Sequence, residues 1–163
     1  MPLSLHPTWH PMLVHFAVGS TLASSLLVII GLVAKYSGYK DITRKLTFPL
    51  HLALLFSLIT LVLACASALM DFPASTFAAS SWFRFKTMVS IATFFVYSGM
   101  YLLVALRKEN VWENNACLAY LVILALLGGG LVTTLSAAGG YLEYGHSVLE
   151  PVLKTLGLPM PRP

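Results

Sequence analysis

Four side chains in this sequence have the type and the placing to hold a metal or an electron carrier: His10, His15, Asp71 and His146. The first two stand in Trp9-His10-Pro11-Met12-Leu13-Val14-His15-Phe16, where the first long apolar run begins. Asp71 closes the second run. His146 ends the stretch Gly139-Gly140-Tyr141-Leu142-Glu143-Tyr144-Gly145-His146, which follows the last. Ionisable groups at a membrane span are costly to keep there, so they are functional candidates by default. Three chemistries suit the set. In one, His15 and His146 are axial ligands of a b-type haem, Arg84 and Lys86 pair with its propionates, and His10 and Asp71 orient the ligand imidazoles. In another, His10, His15, Asp71 and His146 hold a bare zinc, copper or iron ion, although they lack a short-range ligand spacing. In the third, the same groups hydrogen-bond one another and tie helix ends together.

Spacing restricts these options. His10 and His15 are five residues apart, roughly 140° around an ideal helix. Both can point at one atom only if His10 stands in the helix cap. His15 lies roughly 6 Å inside Pro11 at 1.5 Å per residue, so it is expected to be partly buried, with His10 at the boundary. His51 has no second histidine at its depth and is expected to hydrogen-bond a neighbour. His6 is expected to be solvated. No nucleophile–base pair, phosphate loop or dinucleotide-binding turn occurs, so covalent catalysis has no support.

The elements that must position these groups follow from composition. The chain has 163 residues, 58% hydrophobic and only 10% charged, against roughly 25% charged in a soluble domain. Mean hydropathy is +0.82. No Asp, Glu, Lys or Arg occurs in 11–34, 46–70, 87–106 or 114–142. Each run is about the length that crosses a hydrocarbon core as a helix, and none shows the polar face of a soluble bundle helix. The expected fold is all-α: a polar lead over 1–10, a four-helix transmembrane bundle over 11–142 and a surface tail over 143–163. With no Lys or Arg before position 35, the first run is not a cleaved signal. The net charge of +4 is scattered over helix ends, which argues against nucleic acid as a partner.

Loop charge sets the expected orientation. Lys35, Lys40, Arg44, Lys45, Arg107 and Lys108 follow helices one and three, whereas the other side holds Arg84, Lys86, Lys154 and Arg162. Both termini are therefore expected outside, on the periplasmic side. Trp9, Trp82 and Tyr141 form an outer aromatic belt in this scheme, and Tyr36, Tyr39 and Trp112 an inner one. Cys65 and Cys117 fall at opposite depths, too far apart for a disulfide. Gly128-Gly129-Gly130 in the last span is expected to permit a close contact or a kink. Gly19, Ser20, Ala23, Ala137, Gly139 and Gly140 are small enough for close helix packing.

His10-Pro11, Val14-His15-Phe16, Asp71, Gly139-Gly140, Tyr144 and His146 together resemble a bacterial four-helix membrane domain family of unknown function, numbered twenty-two thirty-one. The likeness spans nearly the whole chain, with the opening motif its specific part. The chain departs from the family in three places. Arg84, Lys86 and Met88 stand where members carry a histidine near the third helix, Ser147 follows the closing histidine in place of glycine, and Ala17 follows Phe16 in place of proline. Domains similar to these occur beside cytochrome and electron-transfer modules, so the resemblance implies a redox setting.

The expectation is thus a multi-pass protein of the bacterial inner membrane with an outer-face histidine site. It would bind haem b and pass electrons to or from a periplasmic partner such as a c-type cytochrome. The alternatives are a structural or anchor subunit of a larger membrane complex, and a transition-metal-binding membrane protein. In none of these does the chain carry substrate chemistry of its own.

Overall fold

A computed structural model describes residues 9–71 and 81–144, with side chains over 10–70 and 83–137. His146, most of the polar lead and the tail from 145 lie outside the described residues. Within them are five helices and no strand: α1 (Trp9–Tyr36), α2 (Lys40–Asp71), α3 (Ser81–Arg107), α4 (Asn110–Glu113) and α5 (Asn115–Tyr144). Four are long and apolar enough to cross a membrane, over His10–Tyr36, Lys40–Met70, Phe83–Arg107 and Asn115–Ala137. They run up and down in a ring in which α1 neighbours α2 and α5, and α3 neighbours α2 and α5. The end that holds the starts of α1 and α3 is called outer, after the loop-charge expectation.

Apolar residues cover both the inside and the outside of this ring, because lipid asks for no polar face. Phe48, Phe95 and Leu26 are 73%, 69% and 59% exposed. The inside is closed by Val28, Leu50, Leu54, Tyr97, Met100, Val104, Leu121 and Val132. Without a hydrophobic drive between helices in lipid, packing and hydrogen bonds must hold them together. Hydroxyls do this at the α1–α2 seam: Ser20 meets Thr60 at 3.1 Å and Ser24 meets Ser57 at 3.0 Å. Across the ring, the wholly buried Tyr97 of α3 donates its hydroxyl to the Thr21 carbonyl at 2.9 Å and lies 2.8 Å from Ser25 Oγ.

The small residues singled out in the sequence differ in what surrounds them, with Gly139 and Gly140 outside the described side chains. A Cβ on Gly128 would stand 2.8 Å from the Tyr97 ring, whereas Gly129, Gly130 and Gly19 have nothing within 4 Å. The triple glycine thus gives one close approach, at Gly128, and two open positions. Ala23 is exposed, and only Ser20 of the helix-one set reaches a seam.

The inner end contains what the sequence reading lacked. Gly38, at φ +83°, ends α1 and Lys108, at φ +49°, ends α3, the left-handed terminations common at helix C-termini. Asn114 Oδ1 then accepts from the backbone N–H of Ala116 and Cys117 at 2.9 and 3.1 Å, an N-cap for α5. Between them α4 swings Trp112 inward. Trp112 was expected in an aromatic belt at the boundary; it is instead 2% exposed, its ring against Gly31 and its indole N–H donating to Thr47 Oγ1 at 2.9 Å. The physical reason is the missing Cβ of Gly31, whose place the indole takes. Tyr36 and Tyr39 do stay exposed at this end.

Candidate functional site

At the outer end, side chains from α1, α2, α3 and α5 surround a cavity of about 230 Å³. On α1 its wall is His10, Val14, Ala17, Val18 and Thr21, three- and four-residue steps that make one helix face. Leu61, Ala64, Cys65, Ala68 and Leu69 form the α2 wall. Phe83, Lys86, Thr87, Ser90 and Ile91 form the α3 wall, and Val132 and Leu135 supply the α5 side. The walls are overwhelmingly apolar; among the described lining residues His10 and Lys86 are the two groups that can carry positive charge, and none is a carboxylate.

A short relay fixes the His10 ring. His10 Nδ1 lies 2.9 Å from Ser67 Oγ, and the Ser67 hydroxyl donates to the Ala64 carbonyl at 2.9 Å. Since that hydroxyl proton is directed at a carbonyl, Ser67 Oγ is the acceptor and Nδ1 carries the hydrogen. In the neutral ring Nε2 is then the basic nitrogen. The hydroxyls of Thr21, Thr87 and Ser90 are turned to carbonyls of their own helices, those of Ala17 and Val18, of Phe83 and of Lys86.

His15 is elsewhere. It was expected to be the partly buried histidine, with His10 at the boundary, and the structure reverses this: His10 is half-buried on the cavity wall and His15 is exposed. The reason is register. α1 begins at Trp9, so His10 is already helical rather than free in a cap, and the roughly 140° between the two positions sends His15 outward beside the exposed Met12 and Phe16. Its Nδ1 lies 2.6 Å from the Pro11 carbonyl. A carbonyl only accepts, so Nδ1 carries the hydrogen and Nε2 faces away from the helix as a potential ligand.

Arg84 and Lys86 part in the same way. Two residues on a helix are roughly 200° apart, and only Lys86 reaches the cavity, Arg84 being exposed. Asp71 ends α2, its side chain outside the described residues. The described side chains contain no group of three His, Cys, Asp or Glu able to hold a bare metal ion. His51 stacks at a tilt on Tyr101, ring centroids 4.8 Å apart. Cys65 and Cys117 are free, the first on the cavity wall and the second buried at the start of α5.

Sequence reasoning did not find Cys65, Ala68, Thr87 or Ser90 as parts of this wall, nor Ser67 as a partner of His10. Spacing offered a partial signal: 61, 64, 65, 68 and 69 on α2, and 83, 86, 87, 90 and 91 on α3, each trace one helix face. The facing of those stripes depends on the rotation of each helix, which an all-round apolar sequence does not encode. Compared with known proteins, the chain matches no family model, no curated protein and no solved structure, so the site rests on its own geometry.

Proposed function

We propose that the protein is an integral subunit of the bacterial inner membrane that binds haem b at its outer end and exchanges electrons with a periplasmic redox partner such as a c-type cytochrome. The observation that carries this reading is the His15 hydrogen bond to Pro11. A metal-ligating imidazole commonly donates its other ring N–H to a carbonyl, which fixes tautomer and ring direction, and His15 has that arrangement at the outer boundary. His146 is the proposed second ligand. Arg84, exposed near the start of α3, is the proposed propionate partner. Asp71 is left to orient a ligand. When bound, haem supplies reversible one-electron transfer.

The cavity is not the proposed haem site. An apolar cavity of about 150 Å³ takes one benzene ring, so about 230 Å³ suits a single substituted ring and not a tetrapyrrole. By analogy alone, the resemblance of the opening motif to a family found beside electron-transfer modules points the same way. The test is an absorption spectrum of detergent-purified protein made with haem in excess. A low-spin reduced-minus-oxidised band is expected, lost in His15→Ala and in His146→Ala and kept in His10→Ala. A colourless protein would overturn the proposal. Stable co-purification with a larger complex would then favour an anchor subunit, and stoichiometric zinc, copper or iron a bare metal site.

A further inference from the structure

The inner end of the bundle carries positive charge that its own contacts do not consume. Lys35 donates to Asn115, and Arg44 lies 3.8 and 3.3 Å from Glu109 and Glu113. Among the described residues, the side chains of Lys40, Lys45, Arg107 and Lys108 have neither an ion pair nor a hydrogen bond, and all four are exposed. Asp41 is the one carboxylate described at this end that no cation pairs. The fold gathers the four cations at one place. Lys40 and Lys45 stand in the first two turns of α2, Arg107 ends α3, and Lys108 follows it. The Arg44 pairs join the start of α2 to Glu109, the residue after Lys108. Deeper on the same seam, His51 of α2 stacks on Tyr101 of α3, with ring centroids 4.8 Å apart. The cations therefore flank the inner mouth of the α2–α3 seam, the least extensively packed of the four seams.

Apolar side chains continue from these cations into the span. Lys45, Phe48 and Leu52 recur at three- and four-residue steps and share one face of α2, with both apolar members exposed. Leu102 and Leu106, four apart on α3, are exposed just before Arg107. From this arrangement we infer that the inner mouth of the α2–α3 seam binds one anionic phospholipid. Lys45 and Lys108 hold its phosphate, with Lys40 and Arg107 beside them, and its acyl chains lie along Phe48, Leu52, Leu102 and Leu106. Basic clusters between helices at a membrane boundary suit anionic head groups, and here each cluster stands at the head of an apolar stripe. A nucleic acid would meet the same cations, but it has no use for stripes that begin within one turn of Lys45 and Arg107. The surface lies at the opposite end of the bundle from the proposed haem site and is independent of it.

Native mass spectrometry of the full-length protein in a neutral detergent tests this, with phosphatidylglycerol and phosphatidylcholine of identical chains as parallel titrants. One phosphatidylglycerol is expected to bind about tenfold more tightly than phosphatidylcholine. Lys45→Gln and Lys108→Gln are each expected to weaken it about fivefold, and the double variant about twenty-five-fold. Lys45→Arg/Lys108→Arg is expected to keep it, and so is His15→Ala/His146→Ala, whether or not the protein is coloured. Circular dichroism and a monodisperse elution profile establish that each variant is folded. Equal affinity for the two lipids would overturn the inference, as would phosphatidylglycerol affinity unchanged in the double glutamine variant. So would displacement of the bound lipid by glycerol phosphate, which has the phosphate without the chains, or by an equimolar single-stranded oligonucleotide.

Discussion

At the inner end of the bundle a four-residue helix carries Trp112 under the ring, and the indole takes up the space that Gly31 leaves. At the outer end the corresponding space, between His10 and Lys86, is left open. Around Trp112 the polar groups are also finished: Thr47 receives the indole N–H, Lys35 donates to Asn115 Oδ1 at 2.7 Å, and Arg44 lies 3.8 and 3.3 Å from Glu109 and Glu113. Those ion pairs are more than half exposed and contribute little, about 0–1 kcal/mol each. The burial of the ring does more. Unfilled volume at the outer end forgoes packing contacts that the same four helices make elsewhere, and volume forgone beside oriented polar groups is what a binding site requires. One end of the bundle is packed closed, and the other keeps a cavity open.

Breaking the closed end gives the largest expected effect. Trp112→Ala removes the plug and its hydrogen bond, and is expected to lower stability by about 3–5 kcal/mol, read from the unfolding midpoint in detergent. A loss near zero would mean that the inner end owes nothing to the indole. Gly31→Ala attacks the same contact with one added carbon. That carbon would fall inside the ring's contact distance, and because Trp112 is packed on all sides the cost is expected to be about 1–3 kcal/mol. The two substitutions should be less than additive, since Gly31→Ala has nothing to clash with once the ring is gone.

This closed end shows where sequence reading reached its limit. The four spans could be read from the uncharged runs, because the absence of Asp, Glu, Lys and Arg over some twenty residues has few physical meanings. Depth was readable too, as with Cys65 and Cys117. Rotation was not. Depth alone makes His15 the buried histidine, whereas the start of α1 at Trp9 turns it outward and His10 inward. The pairing of Gly31 with Trp112 joins residues 81 positions apart through an unanticipated short helix. No periodicity signals such a pairing. The seam hydroxyls were closer to visible: Ser20 and Ser24, and Ser57 and Thr60, recur at one-turn spacing in otherwise apolar helices.

A finer comparison lies within the triple glycine. Gly128 approaches the Tyr97 ring and Gly129 touches nothing. Gly128→Ala gains helix propensity of up to about 1 kcal/mol but forces the wholly buried, twice hydrogen-bonded Tyr97 ring to move, at a cost of about 1–3 kcal/mol, so a net loss is expected, with weaker Tyr97 hydrogen bonds to Thr21 and Ser25. Gly129→Ala gains helix propensity of up to about 1 kcal/mol with no clash. Opposite signs in paired unfolding measurements are the expected result. Equal signs would mean that Tyr97 does not pack on Gly128.

The smallest effect is expected at the open end, and its smallness is informative. Ala68→Leu adds three carbons to the cavity wall, where Gly31→Ala adds one to the plug. Moving those carbons from lipid to protein brings no hydrophobic gain, since lipid tails are as apolar as leucine. What remains is new dispersion contact across the cavity, offset by about 0.5–1 kcal/mol of lost rotamer freedom. Stability is therefore expected to stay within about 0.5 kcal/mol of the parent, as for surface changes that touch no special feature. If Ala68→Leu instead destabilised the protein as much as Gly31→Ala, the outer end would be packed as tightly as the inner one. The contrast between a closed end and an open one would then be lost.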